Sequence, residues 1–204
     1  MSERTAKLQR YWDRHAATYD AQMARIERRF FGDAREWVCG QARGDVLEVA
    51  VGTGRNLGHY PPGVRLVGVD FSREMLALAR RRAAALGRTV ALGVADAHAL
   101  PFAAGTFDTV VATFSLCAIA DDRRAVAEMV RVLCPGGYLL LADHVAGTAW
   151  PTRAVQALIE LGSVPAGGEH FRRRPIRHVR AAGLTVERHD RYRLGVVERL
   201  AARR

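Results

Sequence analysis

From residue 45 onward, short apolar runs alternate with segments whose apolar positions recur three or four residues apart. The runs 45–50, 65–70, 89–94, 106–113 and 138–143 read as strands, and their near-continuous hydrophobicity predicts a parallel sheet covered on both faces. Between the second and third runs, Ser72 is placed to cap a helix, Glu74 suits its positive end, and Met75, Leu78, Ala79 and Leu86 mark its inward face. Asp121 or Asp122 opens another helix, with Ala125, Val126, Met129, Val130 and Leu133 inward, and Pro135-Gly136-Gly137 stops it before the fifth strand.

Past Asp143 the alternation lapses. Trp150-Pro151 leads into an amphipathic helix with Ala154, Val155, Leu158 and Ile159 inward and Gly162 at its end, and a flexible Pro165-Ala166-Gly167-Gly168 segment follows. Pro175 starts a short helix ending at Gly183, and the runs 184–188 and 192–197 read as a closing hairpin that supplies an antiparallel edge strand. The stretch 1–44 reads as helices, with Leu8, Tyr11, Trp12, Ile26, Phe30, Phe31 and Trp37 inward, and is expected to form a lid over the ligand edge of the sheet.

Bulk properties change this picture little. A chain of 204 residues with 49% hydrophobic content suits one compact domain. No apolar run approaches the roughly 20 residues that span a bilayer, and MSERTAKLQR lacks a signal-peptide apolar region, so a soluble, cytoplasmic protein is expected. Cys39, Cys117 and Cys134 form no CxxC pair and read as buried thiols, with no metal site expected. The net charge of +10 is carried almost wholly by arginine, Lys7 being the sole lysine, which looks like GC-rich coding bias. From His170 to Arg204, 11 arginines stand against Glu187, Asp190 and Glu198. A solvated face is the first reading of that stretch, a weak contact with an anionic membrane surface the second, and nucleic acid is not expected.

The candidate chemistry sits at strand ends. Val46-Leu47-Glu48-Val49-Ala50-Val51-Gly52-Thr53-Gly54 runs an apolar strand into a glycine turn, and Val67-Gly68-Val69-Asp70 ends the next with a carboxylate suited to ribose hydroxyls. Asp96 follows the third strand, Thr113 to Cys117 the fourth, and Asp143-His144 the fifth, so all converge where open parallel sheets bind ligands. The turn is not the dinucleotide GxGxxG, because Leu57 fills the third glycine position. Glu48 would repel a phosphate yet could pair with an ammonium, which favours an adenosine ligand with a cationic amino-acid tail.

These residues, with Ala95-Asp96-Ala97, Leu100-Pro101-Phe102, Phe107-Asp108 and Leu133-Cys134-Pro135-Gly136-Gly137, resemble the successive motifs of class I S-adenosylmethionine-dependent methyltransferases. Tyr11-Trp12-Asp13 through Tyr19-Asp20 looks like the N-terminal cap of the quinone and phospholipid branch. Thr113-Phe114-Ser115-Leu116-Cys117-Ala118-Ile119 with Asp143-His144-Val145 is similar to bacterial phosphatidylethanolamine N-methyltransferases and mammalian alkyl-thiol methyltransferases. The resemblance implies an α/β, Rossmann-like fold, with a seven-stranded mostly parallel sheet, helices on both faces and an antiparallel edge strand. One domain would span 1–204: a lid at 1–44, a cofactor-binding core at 45–144, and substrate-side helices and hairpin at 145–204.

Carried onto this chain, the resemblance implies that the Glu48, Ala50, Gly52 and Gly54 turn lies against the methionine and ribose of S-adenosylmethionine. Asp70 would hold the ribose hydroxyls, Phe71 and Met75 would flank the adenine, Asp96 would accept from its amino group, and the Ala97 N–H would serve a ring nitrogen. Tyr11, Tyr19 and Phe114 would complete the cofactor site, the tyrosines closing over the sulfonium, where aromatic faces suit a cation. Two departures stand out: Ala50 replaces the usual first glycine, which is tolerable at negative φ, and Cys134 replaces the usual basic residue before Pro-Gly-Gly.

His144 is the candidate catalytic base, with an ordinary pKa of about 6.5, and Tyr19 the second candidate catalytic residue. His170 is a weaker candidate base, His98 is expected to serve the loop after Asp96, and Cys117 to be an apolar filler. The expected reaction is in-line methyl transfer to a small-molecule N, O, S or C acceptor, with S-adenosylhomocysteine as product. The alternatives are a phosphatidylethanolamine-type lipid N-methyltransferase at the membrane surface, an RNA or protein methyltransferase, and a non-catalytic cofactor-binding protein. The oligomeric state is left open.

Overall fold

The computed structural model describes residues 3–204. Its centre is a sheet of β1 (Asp45–Val49), β2 (Arg65–Asp70), β3 (Ala91–Val94), β4 (Phe107–Thr113), β5 (Leu133–His144), β6 (Thr185–Tyr192) and β7 (Val197–Arg203), in the order β3-β2-β1-β4-β5-β7-β6. The first five strands pair in parallel, and β7 runs antiparallel between β5 and β6. Strand order reverses between β1 and β4, and this switch point opens a crevice at the strands' carboxyl ends.

Successive residues on the central strands feed opposite cores, as the two-residue period requires. Leu47, Val110, Leu139 and Leu141 face α4 (Asp122–Val132) and α6 (Pro175–Ala181), packing with Val126, Met129, Ile176 and Val179. Val46, Val111, Leu140 and Ala142 face α2 (Ala34–Cys39) and α3 (Arg73–Ala85), packing with Val38, Leu76 and Ala83. Ser72 caps α3 by accepting from the Met75 N–H at 3.2 Å, and Asp121 caps α4 from the Arg124 N–H at 3.0 Å. Before them, α1 (Glu3–Ile26) passes through a π-helical turn, Glu27–Phe31, into α2.

Several sequence expectations are corrected. β5 starts at Leu133, so Pro135-Gly136-Gly137 lies inside it, where the register with β4 shifts between Phe107 and Thr109. Gly136 takes φ +76°, which lets the chain bulge without leaving the sheet. The hairpin's second strand is 197–203, not 192–197, because Arg193, Leu194 and Gly195 turn with positive φ. Leu86, Ile26 and Phe30 are exposed, and Leu76 takes the core position on α3.

The largest correction concerns α5 (Trp150–Gly167), which runs past Gly162 and through Pro165 to end on Gly168 at φ +73°. Its anchor is polar: buried Gln156 accepts from the Gly147 N–H at 2.9 Å and donates to the carbonyls of Val145 and Phe171. That contact turns Val155, Leu158 and Ile159 to solvent instead of inward.

Candidate functional site

The crevice at the switch point is a cleft of about 910 Å³, its open mouth included. The floor is the turn Glu48 to Thr53 after β1, with Asp70, Phe71 and Met75 on one flank and Asp96, Ala97 and His98 beside them. Thr113, Phe114 and Ser115 after β4 close the other flank, and Thr5, Leu8, Trp12 and Tyr19 of α1 lie across the mouth. Thus Tyr19, Glu48, Ala50, Gly52, Asp70, Phe71, Met75, Asp96, Ala97 and Phe114 are gathered on one cavity.

Asp70 is buried, with Oδ2 accepting from the Gly52 N–H at 2.9 Å and Oδ1 from the Ser72 N–H at 2.8 Å. Burial raises its pKa to about 6, and the nearby Asp13 adds to the rise. The bonds tie the glycine turn to the end of β2 and leave lone pairs on both oxygens for a ligand. Asp96 is held differently: His98 donates Nδ1–H to its Oδ1 at 2.6 Å while His98 Nε2 accepts from the Asp121 N–H, an arrangement that assigns the neutral Nδ1–H tautomer. His98 therefore serves that loop.

Ala50 does not keep the negative φ its residue type favours. It sits at φ +56°, a conformation costing an alanine about 1–2 kcal/mol, so the turn retains a glycine backbone shape without glycine. A Cβ on Gly52 would meet nothing within 4 Å, which marks the side left open for a ligand. Gly54 is crowded instead, its Cβ position lying 2.8 Å from Leu57 Cδ1, so the bulky residue at the absent third glycine packs beneath the turn.

Glu48 accepts from Asn56 Nδ2 and Tyr60 OH, both at 2.8 Å, and burial raises its pKa to about 7. Beside it runs a charged network that no sequence motif marks. Arg35 donates to Asn56, to Thr113 and to Glu27, while Arg55 donates to Glu27 and Asp20. Arg82 also pairs with Asp20 at 2.5 Å, and Thr53 donates to it. Gln9 donates to the Phe71 carbonyl and Asp13 accepts from Ser72 Oγ, so α1 and the π-turn are tied to the glycine turn and the start of α3.

Other candidates lie elsewhere. Tyr11 is absent from the cleft lining and stacks on His15, centroids 4.0 Å apart, while its neighbour Trp12 lines the cleft. Tyr19 packs edge-on to Trp12, and burial raises its pKa to about 12. His144 is also absent from the lining. It is buried against Phe171 at 4.4 Å, its Nδ1 has no partner among the described residues, and burial lowers its pKa to about 4, so it is neutral at pH 7. Asp143 binds the N–H groups of Cys117 and His144, and burial raises its pKa to about 7. Donor atoms of Cys117, Asp143 and His144 lie within 4.8 Å of one another, a compact group that could receive a cation. His170 is half-buried beside Arg4.

The basic C-terminal stretch is largely consumed within the fold. Arg173 donates to the carbonyls of Leu116, Ile119 and Ala120, Arg174 and Arg191 face buried Glu198, and Arg199 pairs with Asp33 and Asp190. Arg204 donates to the Arg131 and Leu133 carbonyls.

Comparison with known proteins gives this geometry a context. A family model described as a methyltransferase domain matches residues 47–141. A phosphatidylethanolamine N-methyltransferase of Cereibacter sphaeroides is 43% identical over 115 residues, 55% of this chain and 57% of that protein. A thiol S-methyltransferase of Homo sapiens is 33% identical over 138 residues, 65% of this chain and 56% of that protein. The chain thus spans little more than half the length of these relatives. Among solved structures, an S-adenosylmethionine-dependent methyltransferase of Methanosarcina mazei superposes with a TM-score of 0.65 at 21% identity, over 80% of this chain and 93% of that one, a likeness of fold.

Proposed function

We propose that this chain, whose residues 47–141 match a methyltransferase domain, is a class I methyltransferase that moves the methyl group of S-adenosylmethionine to a small, largely apolar acceptor. The observation that carries this reading is Asp70: a buried carboxylate pinned by two backbone donors, with no cation bonded to it among the described residues, lining the cleft at the switch point. The residues fit the cofactor. Asp70 would take the ribose hydroxyls, Asp96 and Ala97 the adenine edge, Phe71 and Met75 its faces, and the open side of Gly52 the amino-acid tail.

When bound, the cofactor supplies an electrophilic methyl group on a thioether leaving group. The protein's part is alignment and exclusion of water, which together account for several kcal/mol of barrier. Trp12 and Tyr19 offer aromatic faces to a cation, and α1 acts as the lid. Leu8, Ala118, Ile119 and Ala120 give one stretch of the wall an apolar surface for the acceptor, while Arg35 and Arg55 line another part. With His144 neutral and outside the lining, the acceptor is one that needs no strong enzyme base, such as an amine lone pair or a thiolate. A phospholipid headgroup amine is the second reading, supported by the similarity to the Cereibacter enzyme.

The test is transfer of labelled methyl from S-adenosylmethionine to a panel of thiols, amines and phenols. Enzyme-dependent product supports the reading, and tight cofactor binding without transfer to any acceptor replaces it with a non-catalytic cofactor-binding protein. Turnover in His144→Asn equal to the parent's removes His144 as a base.

A further inference from the structure

The outward arc of α5 is apolar without interruption. Trp150, Leu158 and Leu161 are 73%, 68% and 76% exposed, and Val155 and Ile159 lie between them. At 100° per residue, all fall within about 180° of arc together with Pro151, Ala154, Gly162, Pro165 and Ala166, none of which is charged. Gln156 holds the opposite side down, so this stripe is built to face outward. A contiguous apolar surface of this kind marks an interaction site.

Its neighbour supplies the charge. The positions that a Cβ would take on Gly167 and Gly168 lie 2.7 Å from Tyr11 and 2.6 Å from Leu8, so the end of α5 packs on the first half of α1. On α1, exposed Arg4, Lys7, Arg10 and Arg14 share about 120° of arc beside Tyr11, with Glu3 the one acid among them. We propose that the α5 stripe and this basic face of α1 together form a docking surface for an anionic lipid bilayer, with the apolar side chains entering the interface and the cations meeting headgroups. A helix that exposes an apolar stripe with a tryptophan at one end suits a fluid surface. Pairing with a second copy about a two-fold axis would bring two sets of these cations together.

The surface borders the cleft, since the same α1 contributes Thr5, Leu8 and Trp12 to the mouth. This deepens the acceptor side of the proposed function and rests on it only there: a docked enzyme draws an acceptor that partitions into the bilayer. Lipid binding itself is read without turnover, so its failure leaves the methyl-transfer reading standing.

Sedimentation of the full chain with phosphatidylcholine–phosphatidylglycerol vesicles is the test, with cofactor binding measured in parallel to show that each variant is folded. The expected result is binding that falls at least tenfold in Leu158→Glu/Leu161→Glu and in Arg10→Glu/Arg14→Glu, is weakened by salt, and is unchanged in Arg177→Glu/Arg180→Glu. Brominated lipid should quench the parent's fluorescence more strongly than that of Trp150→Phe. No vesicle binding by the parent, binding that survives the α5 change, or a parent dimer that Leu158→Glu/Leu161→Glu dissociates without any lipid binding overturns the proposal.

Discussion

Replacing Glu27 by Gln keeps the shape of the side chain and removes one charge from the network that ties α1 to the glycine turn. Glu27 Oε1 accepts from Arg35 Nε at 3.0 Å and Nη2 at 2.6 Å, and Arg55 Nη2 lies 2.6 Å from Oε2. The Arg35 and Arg55 side chains are only 11% and 19% exposed, so the change strands charge that water reaches poorly. Breaking a fully buried pair costs about 3–5 kcal/mol. Arg55 retains Asp20, Arg35 retains Asn56 and Thr113, and Gln still accepts one bond, which lowers the expected loss to about 2–3 kcal/mol. Burial alone would raise the Glu27 pKa, but the Arg55 hydrogen bonds and the Arg35 charge outweigh it and hold it below its ordinary value. A carboxylate depressed in the folded state stabilises above its unfolded pKa and loses that contribution as pH falls through the folded one. Urea denaturation at pH 7 should therefore show the full difference, and at pH 3–4 a gap that narrows. A difference under about 0.5 kcal/mol at pH 7, or one independent of pH, refutes the reasoning.

Two glycines of the same turn should respond differently to alanine. Gly52→Ala meets only the strain of φ +55° and should cost about 1–2 kcal/mol, whereas Gly54→Ala adds collision with Leu57 and should cost about 2–4 kcal/mol, both by denaturation of the free protein; equal losses contradict the packing described. Glu48 and Asp143, both raised to about 7 by burial, and Asp70, raised to about 6, bind more protons folded than unfolded near neutrality. Their sign means the free protein should lose stability as pH rises from 7 to 8, and a urea midpoint that stays level or climbs rejects it.

The strands were legible because both-face burial leaves continuous apolar runs, and the ligand edge because Gly52, Asp70 and Asp96 each end or follow a run. Orientation was not. Amphipathicity shows that α5 has two faces, but only Gln156's three hydrogen bonds decide which face is covered. The network of Asp20, Glu27, Arg35, Arg55 and Arg82 joins residues scattered over 63 positions of sequence with no shared motif, so no local pattern announces it. Likewise the C-terminal arginines looked like a free basic patch because composition records charge and not the carbonyls and carboxylates that absorb it. Ala50 went the same way: its residue type favours negative φ, and the hydrogen bond from Gly52 to Asp70 holds the turn in which it takes a positive one.

The central claim is that Asp70 holds the ribose of S-adenosylmethionine in the cleft between β1 and β4, and titration calorimetry with the cofactor tests it most directly. One molecule should bind per chain, with affinity at least tenfold weaker in folded Asp70→Ala, a loss of about 1.4 kcal/mol or more. Unchanged affinity in that variant, or no binding by the parent, contradicts it.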